Sequence, residues 1–111
     1  MIVVLQEGTR RAKKAHQCFH CYRMIEPGAR YGYQTNKYDF VYTLRWHIDC
    51  EEMAEKVRDP SDHYDDEGWG PLRDDLVYSG EYPECLEDWR GEYPHVVCRM
   101  ELTDQLREVT Q

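Results

Sequence analysis

At 111 residues the chain has the length of one domain, a size at which folding buries only about two thirds of the unfolded surface. Much of its 41% hydrophobic fraction comes from nine Tyr and three Trp, so a metal or cross-link is a useful supplement to a thin core. The net charge of -8 is uneven, with eight Lys/Arg against four Asp/Glu in residues 1–50 and six against eighteen in residues 51–111, which excludes a surface that grips phosphate everywhere and leaves only the basic half free to do so.

In chain order, MIVVLQ has the β-branched content of a short strand or sheet edge. It is too short, and lacks the basic leader, for a secretory signal, and no run approaches the roughly 20 apolar residues that span a bilayer. A cytoplasmic protein with no membrane partner is expected. TRRAKKA then places Arg10, Arg11, Lys13 and Lys14 in a basic arm, so residues 1–15 read as a terminal strand and arm. IEPGA at 25–29 is a turn. RYGYQ at 30–34 and YDFVYTLRW at 38–46 predict a β-hairpin: in the second, Phe40, Tyr42, Leu44 and Trp46 alternate with Val41, Thr43 and Arg45, a strand period with one heavier face.

Asp49 reads as a helix N-cap, with Glu52 completing a capping box, and Met53, Ala54 and Val57 keep helical spacing until Asp59-Pro60. SDHYDDEGWGP at 61–71 reads as an acidic loop. LRDDLVY is a weaker element, ECLEDW a helical turn or two, HVVCRMEL a strand and DQLREV a short terminal helix. The expected class is small α+β: a finger over 16–58 built of zinc knuckle, hairpin and short helix, with an acidic α/β segment over 59–111 packed on it.

The chemistry-bearing pattern is Cys18-x2-Cys21, a gap of 25 residues, then His47-x2-Cys50. Three thiolates and an imidazole form a tetrahedral zinc set, and a CxxC pair fits a tight knuckle that delivers two sulfurs to one ion. The second pair enters at a helix start, where first-turn amides and the helix dipole favour Cys50 as thiolate. Four protein ligands fill the tetrahedron, so one structural Zn2+ is expected, with no position left for water or substrate. His16 and His20 are read as outer-shell or surface residues, although either can replace His47 as ligand. Cys85 and Cys98, with His95, suggest a second site that would need a distant group such as His63; two ordinary buried thiols are the preferred reading.

The wording C18-F-H-C21, I25-E-P-G-A-R-Y31 and R45-W-H-I-D-C50 resembles treble-clef-like Cys3His modules of the PARP-type fingers and, more distantly, LIM domains. Similar segments occur in small phage and prophage proteins. The resemblance covers about residues 16–58. It implies Cys18, Cys21, His47 and Cys50 as ligands, a hairpin or small antiparallel sheet over 29–46 and a short helix after it. PARP-type fingers bind DNA breaks and LIM modules bind proteins, so the resemblance implies a binding module of either kind.

No HExxH, H-x-E with PCxxC, phosphate-binding GxxxxGK[ST] or dinucleotide-binding GxGxxG is present. A closed metal, no catalytic motif and an acidic second half point to a non-enzymatic adaptor or inhibitor with a protein partner, directed at a nucleic-acid-handling protein; Trp69 and Trp89 are its candidate anchors. The alternative is a DNA/RNA-binding finger that uses Arg10, Arg11, Lys13, Lys14, Arg30 and Lys37, beside Tyr31, Tyr33, Tyr38 and Tyr42 as stacking surfaces. A small metal-dependent nuclease using His63 and Asp65 or Asp66 is the third reading.

Overall fold

The computed structural model describes residues 2–57, 70–78, 80 and 82–110, with side chains described as far as Gln105. Strand β1 (Val3–Arg11), the two-residue strands β2 (His16–Gln17) and β3 (Met24–Ile25), and strands β4 (Arg30–Lys37) and β5 (Val41–His47) come first; helices α1 (Ile48–Val57), α2 (Leu72–Tyr78), α3 (Leu86–Arg90) and α4 (Pro94–Thr110) follow. The fold is small α+β. One antiparallel sheet has the order β1-β4-β5, and β2 pairs with β3 in a second.

The expected hairpin is β4 and β5, closed by residues 38–40, with Tyr31 opposite His47 and Lys37 opposite Val41. Its heavier face is not a buried one, because every β5 residue after Val41 is half-buried and Val41 and Phe40 are exposed. Gly32 lies opposite Trp46, and a Cβ there would stand 2.2 Å from the indole Nε1. The absence of a side chain at Gly32 leaves room for the Trp46 indole, whose ring stands 5.8 Å from that of His20 between centroids.

Four expectations need correction. The first strand does not end at Gln6: it runs to Arg11 along β4, past a register shift between Val4 and Gln6, because Thr9, Arg10 and Arg11 find backbone partners in Gly32, Tyr31 and Arg30. Half of the basic arm is therefore strand. Helix α1 starts at Ile48, so Asp49 lies inside its first turn and not at the cap. HVVCRMEL is helix: α4 takes in both the expected strand and the expected terminal helix, with Val96, Val97, Met100 and Thr103 buried at helical spacing and Pro94 at the first helical position. The second half is accordingly helical, not α/β, among the described residues. The expected end of α1 at Asp59-Pro60 and the acidic loop over 61–69 lie outside the described residues. Among the described residues no helix is long and apolar enough to cross a membrane.

The core joins both halves. Ile25, Met53 and Ala54 from the finger are buried in the same cluster as Leu72, Leu76, Leu86, Val96, Val97 and Met100 from the helices, with the backbone N–H of Arg73 donating to the His20 carbonyl at 3.1 Å.

Candidate metal centre

The knuckle is built by backbone first. The Cys18 N–H donates to the Arg23 carbonyl at 2.9 Å and the Tyr22 N–H to the Cys18 carbonyl at 3.1 Å, a turn closed by Tyr22 in the left-handed region at φ 66°. That conformation costs a non-glycine residue about 1 kcal/mol, and the Tyr22 hydroxyl is held by Asp74 of α2 at 2.7 Å. The other two ligands come from the junction of β5 and α1. The Phe19 N–H bonds the Arg45 carbonyl at 2.7 Å and the His47 N–H reaches Cys18 Sγ at 3.3 Å, which brings strand end and knuckle face to face.

Cys18, Cys21, His47 and Cys50 converge, with one ligand atom from each lying within 4.8 Å of all the others. The three cysteines are fully buried. His47 presents Nδ1, at 3.4 Å from Cys21 Sγ and 3.8 Å from Cys50 Sγ. Donors placed about 2.3 Å (sulfur) and 2.0 Å (nitrogen) from a common centre stand roughly 3.5 to 3.8 Å apart in a tetrahedron, so the set fits one metal ion. It is the one His/Cys/Asp/Glu cluster of this kind among the described residues. As protein groups alone, Cys18, His47 and Cys50 compete for protons. Hydrogen bonds from Cys21 and Cys50 hold the Cys18 thiol far below its ordinary range, while those from Cys18 and Cys21 drive Cys50 far up. Burial opposes a charged His47, and the Cys18 and Cys21 sulfurs overcome it, raising its pKa to about 9.

Two residues shape this centre from outside the ligand set. His20, read from sequence as outer-shell or surface and as a possible ligand, is fully buried and lies outside the ligand cluster. Its Nδ1 accepts the Leu72 N–H at 2.9 Å and its Nε2 meets the Glu51 carboxylate at 2.5 Å, so the proton sits on Nε2 and the ring clips the knuckle to α1 and α2. Arg99 of α4 escaped the sequence reading altogether. Its Nη2 donates to Cys50 Sγ at 3.3 Å and to Asp49 Oδ1. Burial disfavours the cation, and the interactions with Cys50 and Asp49 beside it outweigh that penalty and raise its pKa. Thr103, a turn further along α4, donates to the Cys21 carbonyl at 2.9 Å. No local signal marks either residue, because their partners lie 49 and 82 positions away.

His16 sits in β2 with its ring 5.5 Å from that of Tyr31, outside the ligand group. Cys85 is buried on the core, but the expectation of two buried thiols fails for Cys98, which is exposed on α4, as is His95. Arg10, Arg11, Lys13 and Lys14 do come together, lining an open cleft of about 530 Å³ with His16 and Tyr31, and Arg30 lies beside it, opposite Arg11. Lys37 is at the far end of β4, opposite Val3. Tyr31 and Tyr33 are buried, Tyr33 beneath the Arg10 guanidinium at 3.9 Å, so neither offers a free face for stacking; Tyr38 is exposed at the hairpin tip. Trp89 packs half-buried against the core near Tyr93. Trp69, His63, Asp65 and Asp66 lie outside the described residues.

Comparison of the chain with family models, curated proteins and solved structures finds no match in any of the three.

Proposed function

We propose that this chain is a non-enzymatic protein with one structural Zn2+ in a treble-clef-like finger, acting as a small adaptor or inhibitor that binds a protein partner engaged in nucleic-acid handling. The observation that carries this reading is the closed donor set: three fully buried thiols and His47 Nδ1 converge on one point, and four protein ligands leave no position for a substrate. Zinc is favoured among metals by its acceptance of tetrahedral ligation by three sulfurs and one nitrogen. With three thiolates and a neutral imidazole, the bound site carries one net negative charge, which Arg99 beside Cys50 offsets. Cys18, Cys21, His47 and Cys50 hold the ion; its contribution is folding energy.

The test is cobalt substitution. The expected spectrum is that of a tetrahedral site with three sulfur donors and one nitrogen, and it stays unchanged when imidazole or cyanide is added. Bands that shift with either ligand mean an open coordination position, and the non-catalytic reading then falls.

The basic cleft supports a second reading, contact with a nucleic-acid backbone through Arg10, Arg11, Lys13 and Lys14. Under that reading, binding to a single-stranded oligonucleotide weakens steeply with salt and is lost when the four cations are neutralised.

A further inference from the structure

Strand β1 forms the outer edge of its sheet, since β4 is its sole strand partner among the described residues. All nine of its residues are exposed. A strand in that position presents a row of unpaired backbone groups that another strand can complete. Its two ends differ in chemistry. At the start, exposed Val3, Val4 and Leu5 adjoin an apolar pocket of about 270 Å³ lined by Ile2, Tyr38, Phe40 and Tyr42. Phe40 is 66% exposed, an unusual setting for a phenylalanine. At the other end, roughly 26 Å away at strand rise, lies the basic cleft. Among the described residues no acidic side chain forms a salt bridge with Arg10, Arg11, Lys13 or Lys14.

We propose that the β1 edge is a docking site for an extended segment of a partner protein, which adds as a fourth, antiparallel strand with acidic residues at its N-terminal half and apolar residues at its C-terminal half. This rests on the adaptor reading above and names its surface. Antiparallel pairing sets the segment's N-terminal half against Arg10, Arg11, Lys13 and Lys14 and its C-terminal half against Val3 to Leu5 and Phe40. A second copy of this chain fits poorly. Two-fold pairing centred on Glu7 would set Glu7 against Glu7 and Val3 and Val4 against the copy's Arg11 and Arg10, and like charges directly opposite destabilise a strand pair. A nucleic acid would use the basic end and leave the apolar pocket unexplained.

The test uses the full, metal-loaded chain and capped peptides of about ten residues: one alternates Glu with Thr and then Val with Thr, and the other has the two halves in reverse order. The first is expected to slow amide exchange in Val3–Arg11 about tenfold or more and to bind at least tenfold more tightly than the second. Phe40→Ser and the pair Lys13→Glu/Lys14→Glu, all at exposed positions, should each cut that affinity severalfold. The proposal is overturned if the peptides bind equally, if protection falls outside β1, if the protein alone self-associates through β1, or if an oligonucleotide binds with an affinity that Phe40→Ser leaves untouched while the peptides do not bind. None of these results bears on the cobalt spectrum, so failure of the docking surface and failure of the non-catalytic reading remain distinguishable.

Discussion

Arg99 and His20 stand outside the ligand set, yet each is tied to it by hydrogen bonds whose removal has a distinct signature. Arg99→Gln takes away the cation beside Cys50 Sγ. Loss of such an outer partner typically costs on the order of tenfold or more in metal affinity, measurable by competition with a chromophoric chelator, whereas an unchanged affinity would reduce Arg99 to its ion pair with Asp49. His20→Leu should behave differently. It orphans the Leu72 N–H and removes the imidazole that Glu51 meets, at a cost of about 2 to 3 kcal/mol in urea unfolding, with metal stoichiometry unchanged. A loss of metal would instead mean that the knuckle cannot hold its cysteines in place without the His20 clip. Metal binding needs the neutral His47 ring, and the Cys18 and Cys21 sulfurs raise its pKa from 6.5 to about 9, so apparent metal affinity rises with pH up to about 9 as the proton is displaced more easily, a trend readable by the chelator competition. The clustering of Cys18, Cys21, His47 and Cys50 was legible from their paired two-residue spacing. Arg99, Thr103 and the burial of His20 were not, because they depend on partners supplied by chain far away in sequence.

Among the elements, the hairpin and α1 were readable because strand alternation and the run of Met53, Ala54 and Val57 are local patterns. Helix α4 was misread for a definable reason. Val96-Val97 is a β-branched pair, and although Met100 lies within the apparent strand, the helical spacing is completed only at Thr103, past its end. The length of β1 was hidden by its charge, since Arg10 and Arg11 look like solvated arm until the pairing with β4 is known. Gly32 shows how tightly the sheet is fitted to the centre. Gly32→Ala inserts a methyl where the Trp46 indole lies, which should displace the ring from His20 and destabilise by about 1 to 3 kcal/mol. A thermal transition equal to that of the unaltered protein would mean that Trp46 can move without consequence.

Across the whole molecule, the division into a basic first half and an acidic second half does not correspond to two independent bodies. The helices fill the core that the finger lacks and contribute Arg99, Thr103 and the Leu72 N–H to the surroundings of the centre. A chain cut after Val57 should therefore bind metal more weakly than the full protein and unfold at lower urea; equal affinity would mean that the finger is self-sufficient. Such mutual dependence cannot be read from composition, which records the charge of each half but not the packing between them. Both the fold and the proposed function turn on Cys18, Cys21, His47 and Cys50 holding one metal ion that the folded state requires. The decisive experiment is native mass spectrometry of protein purified without added metal, repeated after chelation. One zinc per chain is expected, with a shift to highly charged, expanded species when the zinc is removed. Protein that carries no metal, or that keeps its compact charge states after losing it, would contradict this dependence.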